Sequence, residues 1–179
     1  MEEILISTDI ETTGPAPGPD LYSMYQLGSC VVGDPSQTFF AEIALISERF
    51  IPEALMACGQ TMDELLRKGE QPPAAMLRYA TWVEKIAKGK KPVFTAFGAT
   101  FDWMFIEWYF QTFIGSNPFG HCGQDIKSYY QGMMKCGWDA TKLSKIDPRF
   151  LSDKPHTHNA LDDAIQQADM FAKMLAYKP

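Results

Sequence analysis

Two acidic residues one position apart follow the first apolar segment of the chain. The stretch 4–14, ILISTDIETTG, begins with an apolar run that predicts a buried strand, and Asp9 and Glu11 follow directly. Side chains two apart on a strand point the same way. Such carboxylates repel each other and lose hydration unless a cation lies between them, and oxygen ligands suit Mg²⁺ or Mn²⁺. The alternative is a strand end with two solvated acids before a Gly/Pro loop.

A third acid, Asp102, follows another predicted strand at 92–97 and falls in the first turn of a predicted helix. If this strand runs parallel beside the first, Asp102 arrives near Asp9 at the carboxyl edge of the sheet, where open α/β sheets bind ligands. The alternative is that the acid only complements the helix macrodipole.

The segment 156–163, HTHNALDD, combines histidines with acids at the start of a predicted helix. A histidine has an unperturbed pKa of roughly 6.5 and can act as a general base, so His158 is a candidate. Asp162 lies four residues after His158, on the same side, whereas Asp163 lies five after it and faces away from the apolar stripe that includes Leu161. Spacing does not choose between the two acids, and each alone could be complementing the helix macrodipole.

The strands that would position these groups are predicted to be an antiparallel meander of three strands, followed by one or two further strands that alternate with helices. After the first strand come strands at 22–32 and 37–46, separated by a turn at 33–36, and a loop at 14–20 precedes them. The fourth strand is at 92–97, and a weakly signalled fifth lies near 123–126.

Helices are predicted between and after these strands. Thr61 and Glu64 have the spacing of a capping box, which predicts a helix start at this point, ending near Gly69. Further helices are predicted at 72–89, 100–114 and 159–177, with shorter ones after Pro52 and within 124–134. The segment 138–158 is interpreted as a loop with one turn near 141–145. An α/β domain with a mixed sheet follows from this order.

Composition narrows the class of protein. The chain has 179 residues, 46% apolar and 21% charged, which fits one domain over 1–179 with a sizeable core. Its net charge of −6 argues against a broad basic surface for long duplex, but not against a small metal-filled site. The N-terminus does not resemble a signal peptide, and no apolar run could span a bilayer, so we predict a cytoplasmic protein. Its four cysteines include no CxxC pair and are interpreted as reduced thiols.

Three motifs together resemble a known enzyme family. DIETTG at 9–14, FD at 101–102 and HNALDDA at 158–164 are similar to the motifs of the DEDD 3′–5′ exonucleases, histidine subtype. The resemblance implies a ribonuclease H-like α/β fold with a five-stranded mixed sheet and flanking helices. It also implies a set of catalytic residues: Asp9, Glu11, Asp102, His158 and Asp163.

The resemblance further implies hydrolysis at 3′ ends of single-stranded DNA or short RNA with two Mg²⁺ or Mn²⁺ ions, releasing nucleoside 5′-monophosphates. Asp9 would bridge both ions, Glu11 and Asp163 would complete one ion's site, Asp102 would hold the other, and His158 would accept the proton of the attacking water. As in relatives, the loop formed by Thr12, Thr13 and Gly14 could contact the terminal nucleotide; a plain loop is the alternative. Related enzymes form homodimers, and we expect one here.

The sequence departs from the family at Gly98, where many members carry an asparagine that helps hold the loop or the substrate. Asp125 resembles an aspartate of relatives, but we interpret it as a helix cap, and His156 as a loop residue. The sequence does not distinguish DNA from RNA as the substrate. Exposed aromatic side chains such as Trp138 or Tyr129 could stack on bases, and the alternative is that they pack against the rest of the protein. Two other functions on the same fold are a small-nucleotide phosphohydrolase and a non-catalytic nucleic-acid-binding module.

Overall fold

The computed structural model describes residues 2–178 and contains one mixed sheet. Its strand order is β3-β2-β1-β4-β5; β1 pairs antiparallel with β2 and parallel with β4, β2 pairs antiparallel with β3, and β5 is parallel to β4. This architecture confirms the expected five-stranded mixed sheet. The strands are β1 (Glu3–Thr12), β2 (Met24–Val31), β3 (Asp34–Glu42), β4 (Lys91–Ala96) and β5 (Gln124–Asp125).

Helices cover both faces of the sheet. They are α1 (Pro52–Ala57), α2 (Met62–Leu65), α3 (Pro72–Ala87), α4 (Ala99–Phe113), α5 (Ile126–Met134) and α6 (Ala160–Ala176). Among residues 2–178, no helix is both long and apolar enough to cross a membrane.

Two apolar clusters show which helices pack on each face of the sheet. Ile6 and Ile10 of β1 belong to a cluster with residues of α3 and α4, whereas Leu5 packs against a second cluster formed largely by α5 and α6. Because neighbouring strand residues face opposite sides, the two clusters lie on opposite faces of the sheet. Asp9 and Glu11 share the parity of Leu5, so their side chains lie on the face that α6 covers.

Several predicted boundaries were wrong by a few residues. The turn between β2 and β3 lies at Val32 and Gly33, where Gly33 has φ +85°, so Asp34 and Pro35 are already in the strand. Proline is tolerated there because β3 is an edge strand. The capping box of Thr61 and Glu64 is present, but the helix that it begins is a single turn. Between 138 and 150 the chain forms three short 3₁₀ turns instead of one.

Candidate active site

The structure brings three of the predicted acids together at the end of β1. The carboxylate oxygens of Asp9, Glu11 and Asp163 lie within 4.8 Å of one another. Asp102, in the first turn of α4, is buried beside them, and its charge adds to burial, the main cause, in raising the pKa of Asp9. Four carboxylates from three distant segments therefore face one small volume.

The position of α6 depends on a close approach to β2. Gly28, the register partner of Asp9, packs against the backbone of Ala160: a Cβ at residue 28 would lie 2.2 Å from the Ala160 carbonyl. The Ala160 amide donates to Gln26 Oε1 over 3.3 Å, and Asn159 caps the helix. These contacts hold the first turn of α6, with Asp163, over the carboxyl end of β1.

The two neighbouring acids of this turn have different surroundings in the structure. Asp163 is fully buried, and its carboxylate accepts hydrogen bonds of 2.9 Å from the backbone amides of Thr157 and His158. Asp162 is exposed. The chain can fold back over Asp163 because His158 adopts φ +55°, in the left-handed region.

His158 is exposed and lies beside Glu11. Potential ligand atoms of Glu11, Cys58 and His158 all lie within 4.8 Å of one another. His156 is also close: its Nδ1 lies 3.0 Å from Asp163 Oδ2, and its ring centroid is 4.5 Å from that of His158. The structure thus gives His156 a contact with the acid cluster that its interpretation as a loop residue did not include.

The turn that leads to Asp102 is held by Asp125. The Oδ1 atom of Asp125 accepts the Gly98 and Ala99 amides over 2.9 and 3.0 Å, and Oδ2 accepts the Ser128 amide over 2.9 Å. The predicted capping role of Asp125 is confirmed, and the same side chain fixes the start of α4. Gly98 has φ +97°, a backbone conformation that favours glycine.

Two side chains that contact the acids were missed in the sequence analysis. Gln167 on α6 donates from Nε2 to Asp9 Oδ1 over 2.6 Å and accepts the Phe97 amide on Oε1 over 2.9 Å. The thiol of Cys58, at the end of α1, donates to Glu11 Oε2 over 2.9 Å. Gln167 follows Asp163 by one helical turn, and this spacing was the only available signal; Cys58 had none.

The acid cluster carries carboxylates whose negative charge no neighbouring lysine or arginine of the described residues compensates. Burial and the charges of Asp102, Glu11 and Asp163 raise the pKa of Asp9. Burial is also the main cause that raises the pKa of Glu11, and it raises the pKa of Asp102 to about 8. Among the described residues, no lysine or arginine forms an ion pair with any of the four acids. Buried carboxylates without such partners call for a cation.

The loop after β1 uses its side chains internally. Thr12 Oγ1 donates to the Gly14 carbonyl, and Thr13 Oγ1 donates to the Arg49 carbonyl, each over 2.9 Å. Gly14 packs against the ring of Tyr22, where a Cβ would lie 2.3 Å from the ring. The substrate-binding role of Thr12, Thr13 and Gly14 stays a prediction, and it would rely on the main chain of this loop.

Comparison with known proteins agrees with the motifs. No protein-family model matches the chain, but it is 40% identical over 171 residues to the 3′-5′ DNA exonuclease Cap18 of Escherichia coli, covering 95% of this chain and 90% of the relative. The nuclease domain of 3′hExo, a DEDDh family member bound to rAMP, shares the fold with a TM-score of 0.76 at 19% identity, covering 96% of this chain and 91% of the domain. E. coli exonuclease I with a dT13 oligonucleotide gives a TM-score of 0.66 at 16% identity, covering 97% of this chain and 41% of that enzyme.

The chain belongs to the family of 3′–5′ exonucleases that its E. coli relative represents. Its fold is the one seen in the DEDDh nuclease domain of 3′hExo. It is therefore an enzyme, a nuclease that hydrolyses nucleic acid from the 3′ end. A non-catalytic binding module, one of the alternatives considered from the sequence, is overturned by this relationship.

Proposed function

We propose that the chain removes nucleotides from the 3′ ends of single-stranded DNA or short RNA, using two Mg²⁺ or Mn²⁺ ions and releasing nucleoside 5′-monophosphates. The observation that carries the proposal is the convergence of Asp9, Glu11 and Asp163 within 4.8 Å, with Asp102 buried beside them. The E. coli relative is named as a DNA exonuclease, which favours DNA as the first substrate to test.

The donor set fits hard divalent ions. All four side chains offer carboxylate oxygens, which Mg²⁺ and Mn²⁺ prefer. The raised pKa values of Asp9, Glu11 and Asp102 reflect burial and mutual repulsion that a bound cation would relieve. In this assignment Asp9, Glu11 and Asp163 would hold one ion, and Asp102 would help to hold the other.

The chain's own groups then have separate tasks. Bound divalent ions supply charge stabilisation to the attacking and leaving oxygens of an in-line displacement. His158 accepts the proton of the attacking water, for which its exposed position beside Glu11 is suited. Water adds to phosphorus, the bond from phosphorus to the 3′ oxygen of the preceding nucleotide breaks, and that oxygen gains a proton. The loop formed by Thr12, Thr13 and Gly14 lies directly after the acids and would border the terminal nucleotide.

A single strand fits the surface near this site better than a duplex. Trp138 is 55% exposed, and Lys127 Nζ lies 4.6 Å from the centre of its ring. Lys127 also lines the turn at Gly98, four residues before Asp102. Aromatic stacking with one cation can bind unpaired bases in a chain of net charge −6, whereas duplex binding needs many cations. Tyr129, the other candidate, is half-buried and packs edge-on against Phe171.

The decisive experiment compares 3′-labelled and 5′-labelled single-stranded oligonucleotides of DNA and RNA with free nucleoside triphosphates, each with Mg²⁺, Mn²⁺ or chelator. The expected result is a metal-dependent ladder that shortens from the 3′ end with release of 5′-monophosphates. Cleavage of free nucleotides alone would favour the small-nucleotide phosphohydrolase instead. The proposal also includes a single domain over 1–179 and a cytoplasmic location. We further propose that the protein is a homodimer, which light scattering at micromolar concentration tests.

A further inference from the structure

A mixed cluster of nitrogen, oxygen and sulfur atoms lies at the edge of the acid site. Cys58 Sγ is 2.9 Å from Glu11 Oε2, and ligand atoms of Glu11, Cys58 and His158 lie within 4.8 Å of one another. The thiol comes from the end of α1, which contributes no other group to the proposed reaction. His158 is exposed, so the cluster can be reached from solvent.

We propose that Glu11, Cys58 and His158 form an inhibitory binding site for a thiophilic divalent cation of the Zn²⁺ class. One thiolate, one imidazole and one carboxylate are the ligand types that Zn²⁺ takes, and three protein ligands leave a fourth position for water. Mg²⁺ and Mn²⁺ prefer oxygen ligands alone, so this set differs in kind from the four carboxylates.

A buried hydroxyl beneath the cluster supports a polar occupant. Tyr25 is 2% exposed, and its hydroxyl has no hydrogen-bond partner within the described part of the chain. This hydroxyl lies close to the sulfur of Cys58. When a cation binds, the thiol proton passes to water, and the Tyr25 hydroxyl can donate a hydrogen bond to the new thiolate.

The cation would inhibit the enzyme because its site shares two residues with the proposed active site, and this step rests on the proposed function. Glu11 is one of the four carboxylates assigned to the hard ions, and His158 is the assigned base. A cation held by Cys58 would draw both away from those tasks, so the hydrolysis would stop without any change in fold. Chelation of that cation, followed by Mg²⁺, would restore it.

A second set of groups competes for the same histidine. Ligand atoms of His156, His158 and Asp163 also lie within 4.8 Å of one another, and this set contains no sulfur. Sulfur coordination therefore distinguishes the proposed site from this one.

The binding test uses Co²⁺ as a spectroscopic substitute for Zn²⁺ with the full-length, chelator-treated protein. We expect a thiolate-to-cobalt charge-transfer band in the near ultraviolet that saturates at one equivalent and is displaced by Zn²⁺. Cys58→Ser should remove the band, while Cys122→Ser, which alters an exposed thiol beside His121, should retain it. A band that persists in Cys58→Ser, or cobalt binding without a sulfur band, would overturn the site; circular dichroism verifies that each variant is folded.

The activity test measures oligonucleotide cleavage in excess Mg²⁺ with increasing Zn²⁺, each variant being normalised to its own rate without Zn²⁺. We expect half inhibition of Cys58→Ser to require at least about tenfold more Zn²⁺ than half inhibition of the wild type or of Cys122→Ser. This factor corresponds to the loss of one ligand that contributes roughly 1.4 kcal/mol to Zn²⁺ binding. Equal inhibition of all three proteins would mean that Zn²⁺ acts at the carboxylates and would overturn the inhibitory role. A cobalt–thiolate band in a protein without exonuclease activity would instead support the site and refute the proposed function.

Discussion

Gly28 on β2 lies opposite Asp9 on β1, and its missing side chain provides the space in which the first turn of α6 packs. The Ala160 backbone would lie 2.2 Å from a Cβ at this position, well inside van der Waals contact. The same turn carries Asp163 into the acid cluster. The distance between Asp9 and Asp163, which come from opposite ends of the chain, thus depends on Gly28, a residue that itself contacts no ligand or reacting group in the proposed site.

Gly28→Ala should therefore impair the site from a distance. The added methyl must displace α6, and overpacking of this kind costs about 1–3 kcal/mol of folding free energy. We expect weaker Mg²⁺ binding and a large loss of cleavage, measured by calorimetry and with a labelled oligonucleotide. Gly132→Ala on α5 is the matched control, since a Cβ there meets nothing within 4 Å; equal effects of both substitutions would contradict the argument.

Asp163→Ala and Asp162→Ala should separate the two neighbouring acids. Loss of Asp163 removes a carboxylate from the cluster and the acceptor of the Thr157 and His158 amides, so both metal binding and cleavage should fall sharply. Asp162 is exposed, and its replacement should change either by less than about twofold, as expected for a surface position. A dead Asp162→Ala with an active Asp163→Ala would show that the motif is displaced by one residue.

His158→Ala should reduce turnover by roughly 10²–10⁴-fold, the usual contribution of a general base, while Mg²⁺ binding is nearly retained. His156→Ala is the matched control, because its ring is adjacent and also contacts Asp163. It should leave turnover within about an order of magnitude of the wild type, since its contact is with the carboxylate and not with the proposed water. Single-turnover cleavage at saturating Mg²⁺ measures both; a reversed order would reassign the base to His156.

The local signals in the sequence were sufficient to predict most elements of the fold. The apolar run before Asp9 predicted β1, and the Thr61–Glu64 spacing predicted a capping box that is present. The apolar stripe near the C-terminus predicted α6. These features are encoded within a few residues, so a linear pattern reveals them.

Features that depend on contacts between distant segments were not predictable in this way. The helical periodicity could not choose Asp163 over Asp162, because the choice is made by the backbone at Thr157 and His158. The contact of Gly28 with Ala160 joins positions 132 residues apart, and nothing near Cys58 in sequence indicates Glu11. The two-residue strand β5 is too short to produce a period.

The metal-free protein should become less stable as the pH rises. Burial raises the pKa of Asp102 to about 8, well above the usual range of an aspartate, and the pKa values of Asp9 and Glu11 are also raised. Their contribution to stability is therefore complete below the unfolded pKa and is lost as the pH rises through the folded pKa. We expect the Tm in chelator to fall between about pH 4 and pH 8, and Mg²⁺ to oppose the fall at the upper end.

Asp102→Asn provides the check on that expectation. The amide cannot titrate, so the chelated variant should lose less stability than the wild type over the same pH range. Thermal unfolding at several pH values, with and without Mg²⁺, measures it. A wild-type Tm that rises with pH in chelator would mean that the four carboxylates are better compensated than their burial indicates.

Trp138→Ala should weaken substrate binding more than catalysis. The indole is 55% exposed and lies beside Lys127, which lines the turn before Asp102, so a base could stack on it while the 3′ end occupies the acid site. Loss of one stacking platform is worth about 1–3 kcal/mol, which predicts a KM raised roughly 5- to 150-fold with little change in kcat. Trp138→Phe should keep most of the affinity, and Leu77→Ala, at an equally exposed apolar position on α3, should have no effect. Steady-state cleavage of oligonucleotides of increasing length measures the difference, which should disappear for substrates too short to reach the indole. A KM unchanged in Trp138→Ala for long substrates would exclude this surface from the path of the strand.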